Sequence, residues 1–426
     1  MNALRKEDFE VKNLGENRYP TPLKLVEENY RTDDDRVLYD AAILASKMPQ
    51  VPAEISFLRA GPRKMIHFDS SKINVGIVTC GGLCPGLNDV IRAITTNCLG
   101  NYNVRNVYGF RYGYAGLTAG RQNETMSLTM DRVNHIHQIG GSVLGSSRGH
   151  QSPEEMVDTL VKFNISILFV IGGDGTMRGV QGLAEECERR KLDIAVVGVP
   201  KTVDNDISYV HRTFGLDTAV EEARQAIDVA HVEACGSKNG IGIVKLMGRH
   251  SGFIAANATL ASGHADICLI PEVPLDLDAL FAKIKARLAK HDHMVIVVAE
   301  GAGQELLKQQ SPEERDASGN IVLREIGLFL RDKIAEYLKK ENLEHSIKYV
   351  DPSYMIRSKP SNASDASFCL RLGNFAVHAG MSGKTNCLVG YWSNFFTLLP
   401  VKLAISKKKT VDLTSALWLS VMEITG

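Results

Sequence analysis

Net charge is the first thing this 426-residue sequence lacks: 49 basic side chains balance 49 acidic ones. No global field therefore steers nucleic acid or an anionic membrane to it, and any anion binding must be local. No apolar run approaches the length of a membrane span, and the opening stretch MNALRKEDFE has no apolar signal core. The terminal ITG is not a peroxisome-type tripeptide. Paired metal-binding cysteines are missing too. Eight cysteines are scattered at 80, 84, 98, 187, 235, 268, 369 and 387. Only Cys80 and Cys84 are close, and they flank a glycine turn with no second pair and no nearby histidine. That argues against zinc and for the reduced, buried thiols of a cytoplasmic protein. No short internal repeat and no low-complexity tract occurs.

What is present is the profile of a soluble globular protein, with 44% apolar and 23% charged residues and a length that suits two domains. Residues 1–70 are polar, carry the run Asp33-Asp34-Asp35 and suggest a helix over about 35–47, the reading of an N-terminal extension lying on the main body. From 72 onward, apolar runs at 73–80, 104–108, 165–171 and 194–199 alternate with helical stretches at 88–99, 153–163 and 177–190. A second series follows. A capping box, Thr218 to Glu221, opens a helix to about 233, strands are expected at 241–246, 267–270 and 294–299, and a helix at 277–290. The polar segment 303–320 reads as a loop. Apolar strands alternating with helices predict parallel sheets covered on both faces. The expected fold is α/β, with two doubly wound Rossmann-like domains, a central crevice and the N-terminal extension. In such sheets ligands bind beyond the strand C-termini, so the strand-end turns carry the argument.

Four turns stand out. CGGLCPGLN, from Cys80 to Asn88, leads from a strand into a helix whose N-terminus favours an anion, although its spacing is not that of a dinucleotide fingerprint. GGDGTMRG, from Gly172 to Gly179, offers backbone N–H groups and the Thr176 hydroxyl to phosphates, with Asp174 suited to Mg²⁺ through water. An Asp between glycines is also an ordinary turn residue. GVPKTVDNDIS, from Gly198 to Ser208, delivers Lys201, Thr202, Asp204 and Asp206 within six positions. Phosphoryl transfer to an alcohol needs a base near the hydroxyl, a metal on the donor and cations on the moving charge, and Asp204 or Asp206 suits the base. KLMGRHSG, from Lys245 to Gly252, adds Arg249 as a phosphate ligand. Gly383-Lys384-Thr385 mimics the end of a Walker A loop, but the required glycine is Ala379 and no strand leads in, so it is rejected.

These turns, in this order, resemble the phosphofructokinases, and most closely their long ATP-dependent branch in trypanosomes and plants. The likeness runs from about residue 55 to the C-terminus through FLRAGPRKMIHFD, GFRYGYAGL, GGSVLGSSRG, HRTFG and VDPSYMIRSKPSNASDA as well as the four turns. It implies fructose 6-phosphate and ATP as substrates, Mg²⁺ as cofactor, no nucleic-acid or membrane partner, and a homotetramer or dimer. It implies domains at 71–215 with 357–402 for the nucleotide and 216–356 with 403–426 for the sugar phosphate. Asp204 matches the general base, and Thr202 and Asp206 the same sugar loop. Asp174 matches the Mg²⁺ site. Gly82, Tyr114, Arg148, Gly149, Gly173, Gly175 and Thr176 match nucleotide-side positions. Met247, Gly248 and Arg249 match the sugar-side strand end, with Arg249 stabilising the transferring phosphoryl. Glu300 matches a sugar-hydroxyl ligand, and Tyr354 and Arg357 the grip on the 6-phosphate. Lys348 falls where shorter bacterial relatives carry an arginine for that phosphate. A base whose proton leaves late needs no raised pKa, so none is expected for Asp204.

Two departures matter. Gly240 stands where short bacterial relatives have an arginine reaching a neighbouring subunit, and the stretch Lys290-His-Asp-His293 replaces their effector lysines, so their regulation does not carry over. Arg59 and Arg63 find no role. Two markers of the phosphoryl donor also disagree. Gly175 is the ATP-type residue, where pyrophosphate users carry an aspartate that crowds the α-phosphate; Lys201 is the pyrophosphate-type residue. A glycine blocks nothing and a lysine serves either donor, which favours ATP. The alternatives are a pyrophosphate-dependent phosphotransferase, a non-catalytic sugar-phosphate sensor, and an NAD or lipid kinase sharing GGDGT.

Overall fold

In a computed structural model, residues 4–40, 54–307 and 321–426 are described. The chain divides into two compact units. The first comprises Met1–Thr202, Ile207–Gly215 and Lys359–Lys407; the second comprises Val203–Asp206, Leu216–Ser358 and Lys408–Gly426.

The first unit is built on a nine-stranded sheet. Its parallel centre runs Cys387–Trp392, Ala195–Pro200, Ile165–Gly172, Asn74–Thr79, Asn106–Phe110. Met126–Leu128 closes one edge antiparallel, and Phe395–Pro400, Ser56–Arg59 and Arg36–Leu38 continue the other in antiparallel order. The central strands are apolar at nearly every position because both faces are covered. Leu168 and Val170 pack with Met156, Val180 and Leu183 of the helices Pro153–Lys162 and Asp174–Arg189. Their neighbours Ile167 and Phe169 lie against Gly380 of the helix Ala363–Met381.

The described residues before 71 are built into this unit. Phe9 is fully buried and meets Phe57 edge-on, with ring centroids 5.0 Å apart. Arg63 is buried and donates to the carbonyls of Arg59 and Gly61 and to Asp33, while Arg59 lies over the Phe395 ring. Both arginines thus have structural work. Lys384 of the Walker-like decoy donates to Asp33 at 2.5 Å, so its charge ties the N-terminal segment down.

The second unit holds a four-stranded parallel sheet in the order Ile267–Leu269, His293–Ala299, Gly240–Leu246, Ser346–Val350. One face packs Ile241, Ile243, Ile296 and Val298 against Leu280, Ile284, Leu330 and Ile334 of the helices Leu277–Leu288 and Ile326–Lys340. On the other, the helix Leu216–Cys235 approaches so closely that a Cβ on Gly242 would meet the Ala230 carbonyl at 2.8 Å.

Four sequence expectations change. The helix expected over 35–47 begins as the strand Arg36–Leu38, held by pairing with Ser56–Arg59, and 41–47 lie outside the described residues. The helix does not open at Thr218: it already starts at Leu216, and Thr218 is buried inside it. The helix expected from 177 starts at Asp174, so the GGDGT turn is a helix N-terminus. In the loop segment 303–320, Gln304–Leu306 forms a 3₁₀ turn, and 308–320 lie outside the described residues. No described helix is long and apolar enough to cross a membrane.

Candidate active site

In the first unit, three strand ends bring their turns together. Cys80 bonds through its N–H to the Ile171 carbonyl, and Lys201 through its N–H to that of Gly172. The turns after Thr79, Gly172 and Pro200 are therefore neighbours by strand pairing. The Lys201 side chain is buried, and its ammonium donates to the Gly82 carbonyl at 2.8 Å. Arg148 reaches the same glycine: a Cβ on Gly82 would lie 3.5 Å from its guanidinium. Gly149 follows on the exposed rim with φ of 105°. Two cations thus border one glycine turn, the electrostatics of an anion site.

Gly173 caps the helix Asp174–Arg189, and the Thr176 side chain folds back over Gly172, where a Cβ would be 2.3 Å away. A Cβ on Gly175, by contrast, would meet no atom within 4 Å. Asp174 opens the helix, where a carboxylate suits the dipole, and lies 3.1 Å from Arg178 one turn on. It offers a single carboxylate, which fits a Mg²⁺ that keeps most of its water and takes its remaining oxygens from phosphates, rather than an all-protein cage. Tyr114 is buried; its ring covers Gly179 and its hydroxyl donates to the Thr176 carbonyl at 2.7 Å. It reaches the turn by supporting it from behind.

Thr202 closes this unit's share of the loop, its carbonyl accepting from the Thr213 hydroxyl at 2.6 Å. Asp204 and Asp206 are counted with the second unit. There the strand Gly240–Leu246 ends in Met247, Gly248 and Arg249. Gly248 has φ of 129°, and a Cβ would strike the Ser251 carbonyl at 2.5 Å, so only glycine fits. The turn places the Arg249 N–H on the Asp204 carboxylate and the Ser251 hydroxyl on the Asp204 carbonyl at 2.8 Å. Arg249 Nη1 donates to the Ile321 carbonyl at 2.8 Å.

Asp204 is the most perturbed carboxyl of this tip. Burial pushes its pKa up from 3.8 to about 7, and the negative charges of Asp206 and Glu300 add to the rise; the Arg249 N–H and the Arg357 charge oppose it. The expectation of an ordinary pKa is thereby corrected. It considered only the timing of proton loss and not the three carboxylates that the fold crowds together. Glu300 too is raised, by burial against the pull of Lys245, Arg357 and Arg249.

Arg357 lies on the short helix Ser353–Ser358 with its Nε 3.3 Å from the sulfur of buried Met247. Tyr354 sits one turn before it, 83% exposed. Lys348 is not at this tip. It is exposed and pairs with Gly242, five residues and roughly 16 Å of strand before Met247.

Three lysines escaped sequence reasoning. Lys408 donates to the Asp206 carboxylate at 2.8 Å, and the Lys409 N–H bonds the Asp206 carbonyl. The Lys409 ammonium lies 4.9 Å from the centre of the Phe253 ring, and burial lowers its pKa to about 7. Lys245 forms an ion pair with Asp351 at 2.6 Å, fixing the start of the segment that carries Tyr354 and Arg357. The run Lys407-Lys-Lys409 was the available signal for the first two, but nothing in the sequence ties it to Asp206.

The description that matches residues 74–380 as a family is "Phosphofructokinase". Over 433 residues the chain is 45% identical to the ATP-dependent 6-phosphofructokinase of Trypanosoma brucei brucei, covering 100% of this chain and 88% of that protein. Over 440 residues it is 46% identical to that of Amycolatopsis methanolica, covering 99% and 95%. Among solved structures, the pyrophosphate-dependent phosphofructokinase of Marinobacter aquaeolei superposes with a TM-score of 0.70 at 19% identity, over 81% of this chain and 88% of that one, a likeness of fold. With its strand-end turns and these relatives, the chain belongs to the phosphofructokinase family.

Proposed function

We propose that this chain transfers the γ-phosphoryl group of ATP to the 1-hydroxyl of fructose 6-phosphate, giving fructose 1,6-bisphosphate and ADP. The names of the relatives above support ATP as donor. The observation that carries the chemistry is the Asp204 carboxyl, whose pKa near 7 suits a base working at neutral pH. In this reading Asp204 accepts the hydroxyl proton as the C1 oxygen bonds to phosphorus and the bridge to ADP breaks. Arg249 and Lys201 hold the charge that spreads over the moving phosphoryl oxygens. Thr202 and Asp206 orient the sugar, with Lys408 donating to the Asp206 carboxylate. Met247, Gly248 and Glu300 line the sugar side, and Tyr354 and Arg357 serve its 6-phosphate; Lys348, which pairs with Gly242 away from that tip, takes no part in this reading. Gly82, Arg148, Gly149, Gly173 and Thr176 cradle the donor phosphates, with Tyr114 behind them. Mg²⁺, held through Asp174, would neutralise donor charge when bound. The first unit is then the nucleotide-binding domain and the second the sugar-phosphate domain, in a cytoplasmic homotetramer or dimer.

The open space at Gly175 supports ATP, since nothing there crowds an α-phosphate. Lys201 favours pyrophosphate as the second reading. A coupled assay with fructose 6-phosphate and Mg²⁺ compares the two donors at saturation. Turnover with ATP alone supports the reading. Turnover with pyrophosphate alone overturns the donor, and turnover with neither overturns the activity.

A further inference from the structure

We propose that the second unit carries a binding site for a zinc-type divalent cation, formed by His231, Cys235 and His293. The cluster lies apart from the tip described above. His231 and Cys235 are one turn apart at the end of the helix Leu216–Cys235, and His293 opens the strand His293–Ala299. One donor atom from each falls within 4.8 Å of the others. The Cys235 sulfur is 3.7 Å from His231 Nε2, and the His231 and His293 rings are 5.0 Å apart. Donors on one tetrahedral ion lie roughly 3.3–3.7 Å apart, so closing the set asks for about an ångström of side-chain movement.

Three independent features favour a metal. Asp292 bonds His293 Nδ1 at 2.8 Å, which fixes the ring and leaves Nε2 for an ion, the usual second partner of a metal-bound imidazole. A helix C-terminus is electronegative and suits a cation. The carboxylates that bear on His231 are engaged elsewhere: Asp228 by Arg224 and Ser262, and Asp266 by Arg287 and the Val295 N–H. The donor set is therefore imidazole and thiolate, which selects Zn²⁺ over Mg²⁺. Cys235 is the one exposed cysteine among the described residues, so the fourth position falls to water. His264 stacks on His231, with centroids 4.1 Å apart and planes 11° apart, and holds that ring in place.

The ion would join the end of a helix to the start of a strand, about 23 Å of strand from Glu300. Its role is that of a clamp, outside the chemistry. The full chain, stripped with a chelator, is titrated with Co²⁺ as a spectroscopic stand-in for zinc. One equivalent is expected to give four-coordinate visible bands and a thiolate-to-cobalt charge-transfer band. Zn²⁺ should abolish both, and excess Mg²⁺ should leave them. Cys235→Ser should remove the charge-transfer band, and Cys235→Ser and His293→Ala should each weaken binding at least tenfold. Asp292→Asn should weaken it by roughly 10- to 100-fold. Zn²⁺ should raise the melting temperature of the wild type but not of Cys235→Ser, a surface change that leaves the core intact. A charge-transfer band that survives Cys235→Ser, or wild-type binding no tighter than the variant's, would overturn the site.

Discussion

Two acidic tips of this molecule follow similar apolar strands and lie in opposite surroundings. At the end of Ile165–Gly172, Asp174 opens a helix, lies by Arg178 and has open space beside it at Gly175. In the loop after Ala195–Pro200, Asp204 is crowded by Asp206 and Glu300, and its pKa climbs to about 7. The difference is one of surroundings and not of residue type. A helix N-terminus and a cation are favourable company for a carboxylate, whereas burial and like charges raise a carboxyl's proton affinity.

The largest expected effect removes the proton acceptor. Asp204→Asn should lower kcat by about 10²–10⁴ while leaving sugar binding measurable by calorimetry. A kcat near wild type would end the base assignment. The same variant reports on burial. Between pH 4 and 7 the folded state holds a proton that the unfolded carboxyl, with its pKa of 3.8, has lost. The contribution of Asp204 to stability is thus intact below pH 4 and falls as pH rises to 7. At pH 8 Asp204→Asn should therefore be more stable than wild type by roughly 2–4 kcal/mol in chemical denaturation, an advantage that vanishes near pH 4. In the wild type, kcat/KM should fall about tenfold per pH unit below 7.

The next effect makes the other tip resemble the first. Gly175→Asp places a second carboxylate where a Cβ meets nothing, so folding should survive. ATP-dependent kcat/KM should fall about 10²-fold through charge repulsion, measured against pyrophosphate under the same conditions. An unchanged donor ratio would mean that the space at 175 does not face the donor. Arg357→Ala should raise KM for fructose 6-phosphate about 10- to 100-fold and leave KM for ATP within twofold, the loss of charge-assisted hydrogen bonds. Equal effects on both would remove the 6-phosphate role. The smallest effect is at the exposed ion pair. Arg178→Ala should change unfolding free energy by less than about 1 kcal/mol, and a larger change would show that Arg178 does more than accompany Asp174.

The alternating strands were legible because parallel strands covered on both faces must be apolar throughout, and that leaves a run such as Ile167 to Ile171 in plain sight. The glycine turns were legible because close approach and positive φ tolerate no side chain, as at Gly248. Errors arose where a local pattern competed with tertiary pairing. Residues 36–38 form a strand because Ser56–Arg59 offers them an edge, and Thr218 is packed inside a helix that its capping pattern would have begun there. Cysteine spacing alone argues against zinc; His231 and Cys235 are one helical turn apart in the sequence, and only the strand brings His293 to them.

Residue types, their spacing and the turns that end each apolar run lie in the sequence, and with them the α/β class and the family. They are set by local sterics and by hydrophobic periodicity, which neighbours along the chain suffice to express. The proton affinity of Asp204, the hold of Lys408 and Lys409 on Asp206 and the meeting of His231, Cys235 and His293 were decided by tertiary structure alone. Burial and Coulomb interaction depend on distances between residues far apart in the chain, such as Asp206 and Lys409, and no local pattern encodes such a distance.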